Sequence, residues 1–425
     1  MQAVILAGGK GERLGLKNIP KVMVKIGSKP LLQRQIELLV SFGITDIVLC
    51  VKHLSEKIKK YFGNGEKFGA KIIYSEEDDF LGTAGALKLA EDLLEKNFIL
   101  LYGDIMLDMN LAKLVTYHKK KKGIATLVVH PSDHPEDSDI VDVDKDGRVK
   151  KIWRPKEGEK FRNLTNAAVF VFSKKITKYI PGKKFANIER DILPLVLERG
   201  EHIYAYETDE YIKDIGIPER LKKVKNDFKN KKIVRRPVVF LDRDGVINED
   251  IELITKPSQI KLIKGSAEGL KLLKKHGFIT IVVTNQPVVA RNLCTEEDVK
   301  KINEKLKTML AKKGAIIDAI YYCPHHPDKG YPEENPAYKI ECECRKPKIG
   351  MLLKASEDFG FELKNCIVVG DRTVDIQTGK NAGCRTILVK TGKGGNDKKY
   401  DVKPDYVCKN LFAAARLIIK IYGTK

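Results

Sequence analysis

Two carboxylates stand two positions apart in Val238-Val239-Phe240-Leu241-Asp242-Arg243-Asp244-Gly245, directly after four apolar residues. Like charges that close need a cation beside them, or one of them must hold a proton. Downstream, Ile281-Val282-Val283-Thr284-Asn285-Gln286 brings a hydroxyl to the end of an apolar run, and Arg345-Lys346-Pro347 brings cations. Val368-Val369-Gly370-Asp371 ends a further apolar run in a carboxylate. A nucleophile, phosphate ligands, a lysine and a metal ligand together describe phosphate transfer through an aspartyl-phosphate.

The N-terminal part carries different chemistry. Leu6-Ala7-Gly8-Gly9-Lys10-Gly11-Glu12-Arg13 follows an apolar strand, and its three glycines let backbone N–H groups approach an anion closely. It is not a Walker loop, because no Gly-Lys-Ser/Thr follows a four-residue gap. Pro20-Lys21 comes next, Gly82-Thr83-Ala84-Gly85 forms a second small-residue turn, and Gly103-Asp104 ends another apolar strand. Asp214-Ile215-Gly216-Ile217-Pro218 closes this half. An acidic residue at a strand's C-terminal edge faces the ligand crevice of a parallel sheet. In a third cluster, Cys323-Pro324-His325 and Cys342-Glu343-Cys344 offer two ligands from each arm of a long loop, with His326 as the rival imidazole. Three thiolates and one imidazole make a closed, structural Zn²⁺ site. Cys50, Cys294, Cys366, Cys384 and Cys408 lie in apolar or helical contexts and read as buried thiols.

The elements that must position these groups alternate between strand-like runs and amphipathic helices, the pattern of parallel sheets covered by helices. Strands are expected at 3–7, 47–51, 98–101 and 126–129, with a helix over 31–42. A short helix runs through Leu221 and Val224, and the polar, basic stretch 225–232 shows no apolar period. The expected organisation is two α/β domains, each a doubly wound, mostly parallel sheet, at 1–228 and 237–425. A basic linker at 229–236 joins them.

The five ordered motifs of residues 1–225 resemble those of the sugar-phosphate nucleotidyltransferases. The resemblance implies that Gly8, Gly9 and Gly11 cradle a nucleoside triphosphate. Arg13 would hold the β- and γ-phosphates, Lys21 would neutralise the α-phosphate, and Asp104 and Asp214 would bind Mg²⁺. Gly82, Thr83 and Gly85 would contact nucleobase and ribose, and Asn166 the sugar, in an Asn166-Ala167-Ala168 that replaces the family's usual Asn-Ala-Gly. Lys156 and Glu189 are candidates for the sugar-phosphate side; an exposed lysine and a helix-capping glutamate are the plain alternatives. The guanylyltransferases for heptose and mannose 1-phosphates are the nearer branch, which favours GTP.

Residues 237–395 resemble the haloacid dehalogenase superfamily of phosphatases. Within it the cysteine–histidine insertion resembles that of the D-glycero-D-manno-heptose 1,7-bisphosphate phosphatases, with histidinol phosphatases as relatives. By this resemblance Asp242 is the nucleophile and Asp244 the acid/base. Thr284, Asn285, Arg345 and Lys346 would bind phosphate, and Asp242, Asp371 and the backbone carbonyl of Asp244 would bind Mg²⁺. Asp375, four residues after Asp371, could assist this centre or cap the next helix, and its residue type favours the cap. The loop Pro287-Val288-Val289-Ala290-Arg291-Asn292 departs from the family's Ser-Gly-Ile-Ala-Arg-Gly, yet keeps Arg291 as a candidate for the distal phosphate. Joined, the halves imply two steps of one route: loss of the 7-phosphate, then nucleotidyl transfer to the heptose 1-phosphate. Rival readings are a mannose 1-phosphate guanylyltransferase fused to a histidinol-phosphatase-like enzyme, and a sugar-nucleotide sensor regulating a phosphatase.

Composition narrows the partners. The chain's 425 residues carry a net charge of +21, 43% hydrophobic and 32% charged residues, and a single Trp. Basic stripes interleaved with aromatics are missing, so the partners expected are small phosphorylated anions and not nucleic acid. No apolar run reaches 18 residues and Met1–Leu6 lacks a basic n-region, so a soluble cytoplasmic enzyme with no membrane partner is expected. Nothing in the sequence speaks to oligomeric state.

Overall fold

Gln2–Leu6 becomes the middle of a sheet because both of its faces are covered. Ala3 and Ile5 enter one apolar cluster and Val4 enters another on the opposite face. The computed structural model describes residues 1–422 apart from 134, 136–137, 157–158, 183, 235, 329 and 331–333. Contacts divide it into two units, Met1–Ile233 and Val234–Lys425.

In the first unit the strand order is Val149–Trp153, Ile140–Val143, Thr165–Ser173, Asn97–Tyr102, Gln2–Leu6, Asp46–Val51, Lys71–Glu76. The last four are parallel. Thr165–Ser173 runs antiparallel to Asn97–Tyr102 and to Ala125–His130, and Ile203–Glu207 lies parallel beside the latter. This sheet is therefore mixed, which the strand–helix alternation did not reveal. The chain leaves Gln2–Leu6 for Asp46–Val51 on one side and later adds Asn97–Tyr102 on the other. The C-terminal end of Gln2–Leu6 is thus a topological switch point, where a crevice opens.

The second unit repeats that logic with six parallel strands: Ala319–Cys323, Ile279–Asn285, Val238–Leu241, Ile367–Gly370, Arg385–Val389 and Tyr406–Cys408. Val239 and Leu241 face one core and Val238 and Phe240 the other. Here the switch point is the end of Val238–Leu241, and Asp242 follows it.

One sequence expectation fails locally. The helix begun at Pro218 continues to Lys229, through most of the stretch read as aperiodic. Val224 and Phe228, four positions apart, are its buried residues, and the Arg34 guanidinium lies 4.1 Å from the Phe228 ring centroid. Two apolar residues among lysines suffice when the helix has only one narrow stripe to bury. Among the described residues no helix is long and apolar enough to cross a membrane.

Candidate active sites

The glycine-rich turn leaves the first switch point with Gly11 at φ +73°, the left-handed region that favours glycine. A Cβ on Gly8 would stand 3.2 Å from the buried Glu77 carboxylate, so this loop packs with backbone alone. Lys21 is buried and its Nζ donates to Asp104 Oδ2 at 2.5 Å. Asp104 and Asp214 come together through a two-stranded ribbon, Ile105–Asp108 against Tyr211–Asp214, closed by Ile215 N–H donating to Asp104 O. Asp214 accepts from Gly216 N–H at 2.7 Å and Arg220 at 2.8 Å. The exposed Arg13 reaches within 3.7 Å of where a Gly216 Cβ would be. Two carboxylates offering oxygen donors suit Mg²⁺, although each already faces a cation.

Gly82 sits at φ +73°, and a Cβ there would lie 2.5 Å from Ala186 O. Thr83 Oγ1 accepts from Ile188 N–H, tying this turn to the π-helical turn Ile188–Ile192 that carries Glu189. Gly85 packs just as closely, its Cβ position 2.5 Å from Leu81. Glu189 accepts from Tyr102 O–H at 2.7 Å. Burial raises the Glu189 carboxyl against the pull of that hydrogen bond, and burial together with Glu189 raises Tyr102. Glu189 is thus half-buried and held against Tyr102. Lys156 is exposed, its backbone N–H bonded to Glu159, and the structure does not bring it to the other groups.

Asn166 and Ala168 line a cavity of about 190 Å³ with Asp214, Lys213 and Arg220. A register shift between Asn166 and Phe170 lets the strand bulge here, and Ala168 takes φ +55°. The alanine that replaces the expected glycine therefore occupies a left-handed backbone. Sequence reasoning missed Gln35, which is 1% exposed and donates to Tyr102 O at 2.9 Å and Ile105 O at 2.7 Å. That amide clamps the turn bearing Asp104. A buried glutamine on a helix gave no signal beyond its polarity.

In the second unit Asp242, Lys346, Asp371 and Asp375 form one buried centre. Lys346 Nζ donates to Asp242 Oδ1 at 2.8 Å and to Asp375 Oδ1 at 2.5 Å. The Lys346 backbone and Asn285 side chain bond reciprocally at 3.0 and 3.2 Å, which fixes the lysine. Burial pushes Asp242 up to about 6 and Asp371 up to about 8, with neighbouring carboxylates adding to both. Burial opposes the charge of Lys346, but Asp242 and Asp375 raise it above the usual lysine range. Asp371 Oδ1 is buried without a hydrogen-bond partner, and carboxylate oxygens of Asp242, Asp371 and Asp375 lie within 4.8 Å of one another. This donor set fits a hard divalent cation.

Asp375 fills both of the roles open to it from the sequence, not the favoured cap alone. Its Oδ2 does cap, accepting from Arg372 N–H at 3.1 Å, while Oδ1 faces Lys346 inside the centre. Residue type favours the first role; the strand–helix geometry supplies the second, through Lys346. Asp244 turns its carboxylate elsewhere, so its side chain is not among the clustered carboxylates. It accepts from Arg243, Asn248 and Gln286 at 2.8–3.0 Å. Burial alone would raise it, but Arg243, then Asn248 and Gln286, hold it below the usual carboxylate range. Gln286 also donates to the buried Thr284 Oγ1 at 3.0 Å, linking this acid to the hydroxyl. Neither Gln286 nor the fully buried Arg243 was singled out from sequence, though both adjoin motif residues.

Cys323, His325, Cys342 and Cys344 present ligand atoms within 4.8 Å of one another. The sulfurs stand 3.2–3.5 Å apart and His325 Nδ1 lies 3.4 Å from Cys344 Sγ. Thiolates about 2.3 Å from one tetrahedral ion stand about 3.8 Å apart, so a small spread admits zinc. His326 instead accepts from Asp328 N–H through Nδ1. Arg345 donates to His325 O at 2.9 Å, which joins the ligand loop to the residue before Lys346.

A family model described as nucleotidyl transferase matches residues 2–231, and one described as HAD-hydrolase-like matches residues 343–414. The chain is a nucleotidyl transferase joined to a HAD-like hydrolase. This transferase–hydrolase is 40% identical over 160 residues to the D-glycero-beta-D-manno-heptose-1,7-bisphosphate 7-phosphatase of Pasteurella multocida, covering 37% of this chain and 84% of that one. It is 29% identical over 298 residues to a UTP–glucose-1-phosphate uridylyltransferase of Synechocystis, covering 64% of this chain and 77% of that one. The crystal structure of HddC from Yersinia pseudotuberculosis is 30% identical, covers 53% of this chain and 99% of that one, and superposes with a TM-score of 0.47. The transferase–hydrolase is therefore an enzyme in both halves, acting on nucleotide and sugar-phosphate substrates.

Proposed function

We propose that the hydrolase half removes the 7-phosphate of D-glycero-D-manno-heptose 1,7-bisphosphate, and that the transferase half joins the remaining 1-phosphate to a nucleotide, with GTP favoured. The observation that carries this is the Asp242–Lys346–Asp371–Asp375 centre, at the switch point of a domain 40% identical to a named heptose bisphosphate phosphatase. Asp242 forms a bond to phosphorus as the bond from phosphorus to the C7 oxygen breaks. Asp244, taking a proton from solvent as it leaves Arg243, Asn248 and Gln286, passes it to that oxygen. Water then attacks the aspartyl-phosphate, its proton passes to Asp244, and phosphate leaves. Thr284 and Lys346 hold the transferred group, with Asn285 and Arg345 fixing the lysine's loop, and Arg291 holds the distal phosphate. Mg²⁺ held by Asp242, Asp371 and Asp375 would supply charge neutralisation when bound.

In the transferase half, an oxygen of the sugar 1-phosphate attacks the α-phosphorus and the bond to the β-phosphate oxygen breaks, releasing pyrophosphate. Lys21 and Arg13 neutralise the phosphates cradled by Gly8, Gly9 and Gly11. Gly82, Thr83 and Gly85 seat nucleobase and ribose. Asn166 and Glu189 contact the sugar, and Asp104 and Asp214 would hold Mg²⁺.

Phosphorus NMR of one tube holding protein, Mg²⁺, the bisphosphate and GTP or UTP tests the reading. The 7-phosphate should disappear first, followed by a nucleotide-diphosphate heptose and pyrophosphate. The UTP arm answers the uridylyltransferase similarity. Loss of the anomeric phosphate first would overturn the proposal, because the transferase would have no nucleophile.

A further inference from the structure

The cysteine–histidine loop is tied to the body of the hydrolase half by one carboxylate. Glu296 opens the helix Glu296–Lys312, where the helix N-terminus favours a negative charge. Its Oε2 accepts from Tyr322 O–H at 2.8 Å and its Oε1 from Tyr338 O–H at 2.9 Å. Tyr322 is the residue before Cys323, and Tyr338 lies in the loop between His325 and Cys342. The Tyr338 ring stacks on His325 with centroids 5.9 Å apart, and its carbonyl accepts from His326 N–H at 3.1 Å. The same two tyrosines pack on Val288, Val289 and Val299, under the turn that carries Arg291. From the far side, Asn335 N–H donates to Ala290 O at 2.9 Å.

From this juxtaposition we infer that Glu296 is a positioning residue that holds the ligand loop and the Arg291 turn in register. It thereby sets both metal retention and recognition of the substrate's distal phosphate. The inference rests on the proposed zinc and bisphosphate readings. Glu296 touches neither the ligand atoms nor the reacting centre; it acts through Tyr338 on His325 and through the valine layer on the Arg291 turn. A glutamine could still accept from one tyrosine and donate to the other, so Glu296→Gln is the conservative variant.

The test uses the full-length zinc-loaded protein. Zinc release to a chromogenic chelator is measured alongside kcat and KM for the heptose bisphosphate and for p-nitrophenyl phosphate, which has no second phosphate. Glu296→Ala should release zinc about tenfold faster, at the low end of outer-shell effects. Its KM for the bisphosphate should rise roughly tenfold, with kcat on p-nitrophenyl phosphate unchanged. Glu296→Gln should restore most of both effects, and Tyr338→Phe, which removes only one hydroxyl, should reproduce faster release if the alanine variant does not fold. Wild-type zinc release together with wild-type KM in both Glu296→Ala and Tyr338→Phe would overturn the inference. So would equal losses on the two substrates, which mark general loosening. Wild-type protein that purifies without zinc would instead sink the metal reading, and wild-type protein inactive on the bisphosphate would sink the substrate reading.

Discussion

Replacing Lys346 by Met removes the one cation that Asp242 and Asp375 share, while keeping a flexible side chain of similar length. Asp242, Lys346 and Asp375 are at most 7% exposed, and Asp371 is fully buried beside them. Taking one partner from a buried pair costs about 3–5 kcal/mol, because the remaining charges lose their compensation without regaining water. For a domain of 150–250 residues each kcal/mol moves Tm by about 2–4 °C, so the hydrolase half should melt about 6–20 °C lower. Differential scanning calorimetry of the whole chain in EDTA at pH 8 reads this. Acid should shrink the deficit. Asp242 near 6 and Asp371 near 8 lie above their unfolded values, so the folded state binds those protons more tightly. Their contribution is complete below the unfolded carboxylate range and is lost as pH rises through 6 and 8. At pH 5 Asp242 and Asp371 are largely protonated and the cluster needs the lysine less, so the gap should shrink. A gap under about 3 °C at pH 8, or one that widens at pH 5, would refute the claim that Lys346 neutralises this cluster.

Three further perturbations check other parts. Asp242→Asn should abolish phosphate release while pyrophosphate release from NTP and sugar 1-phosphate survives, and Asp104→Asn should do the reverse; loss of both activities in either folded variant would show the sites are not independent. Ala168→Gly should raise the stability of the transferase half by about 0.5–1 kcal/mol in thermal melts. Relief of a left-handed alanine at about 1–2 kcal/mol outweighs the added unfolded-state freedom of glycine at about 0.4–1 kcal/mol. Cys342→Ser should leave substoichiometric zinc by elemental analysis and lower phosphatase turnover, with nucleotidyl transfer intact.

What the sequence displayed were groups whose backbone context is local. Asp242 and Asp371 each end a short apolar strand, and that alone puts them at the C-terminal edge of a parallel sheet. The Cys-x-His and Cys-x-Cys pairs likewise need no tertiary knowledge to suggest a shared ion. Roles that arise from distant neighbours were not legible. Gln35 reaches carbonyls 67 and 70 positions away, and Asp375 meets a lysine 29 positions upstream. Strand direction was hidden for the same reason. Thr165–Ser173 is as apolar as a parallel central strand, and only its pairing partners decide that it runs antiparallel. Phe228 fell in the stretch 225–232 that shows no apolar period, because its partner, the Arg34 guanidinium, lies on the distant helix Leu31–Ser41.

The two acidic clusters differ in net charge, and that difference sets what each needs from a cation. Around Asp242 three buried carboxylates face one lysine, which leaves the equivalent of two negative charges inside the protein when all are ionised. Burial, and then the neighbouring carboxylates, raise Asp242 and Asp371, the direction set by an acid cluster with a single cation. A divalent ion would balance that centre without any substrate. In the transferase half Asp104 pairs with Lys21 and Asp214 with Arg220, so the carboxylates are already neutralised. There a divalent ion brings excess positive charge unless a triphosphate arrives with it. Calorimetric titration of the metal-free full-length chain should therefore show Mg²⁺ heat from one class of site, removed by Asp371→Asn. A second class should appear only after nucleotide is added and should be removed by Asp104→Asn. Two nucleotide-independent sites, or heat that survives Asp371→Asn in the absence of nucleotide, would mean that charge balance does not govern metal entry in this enzyme.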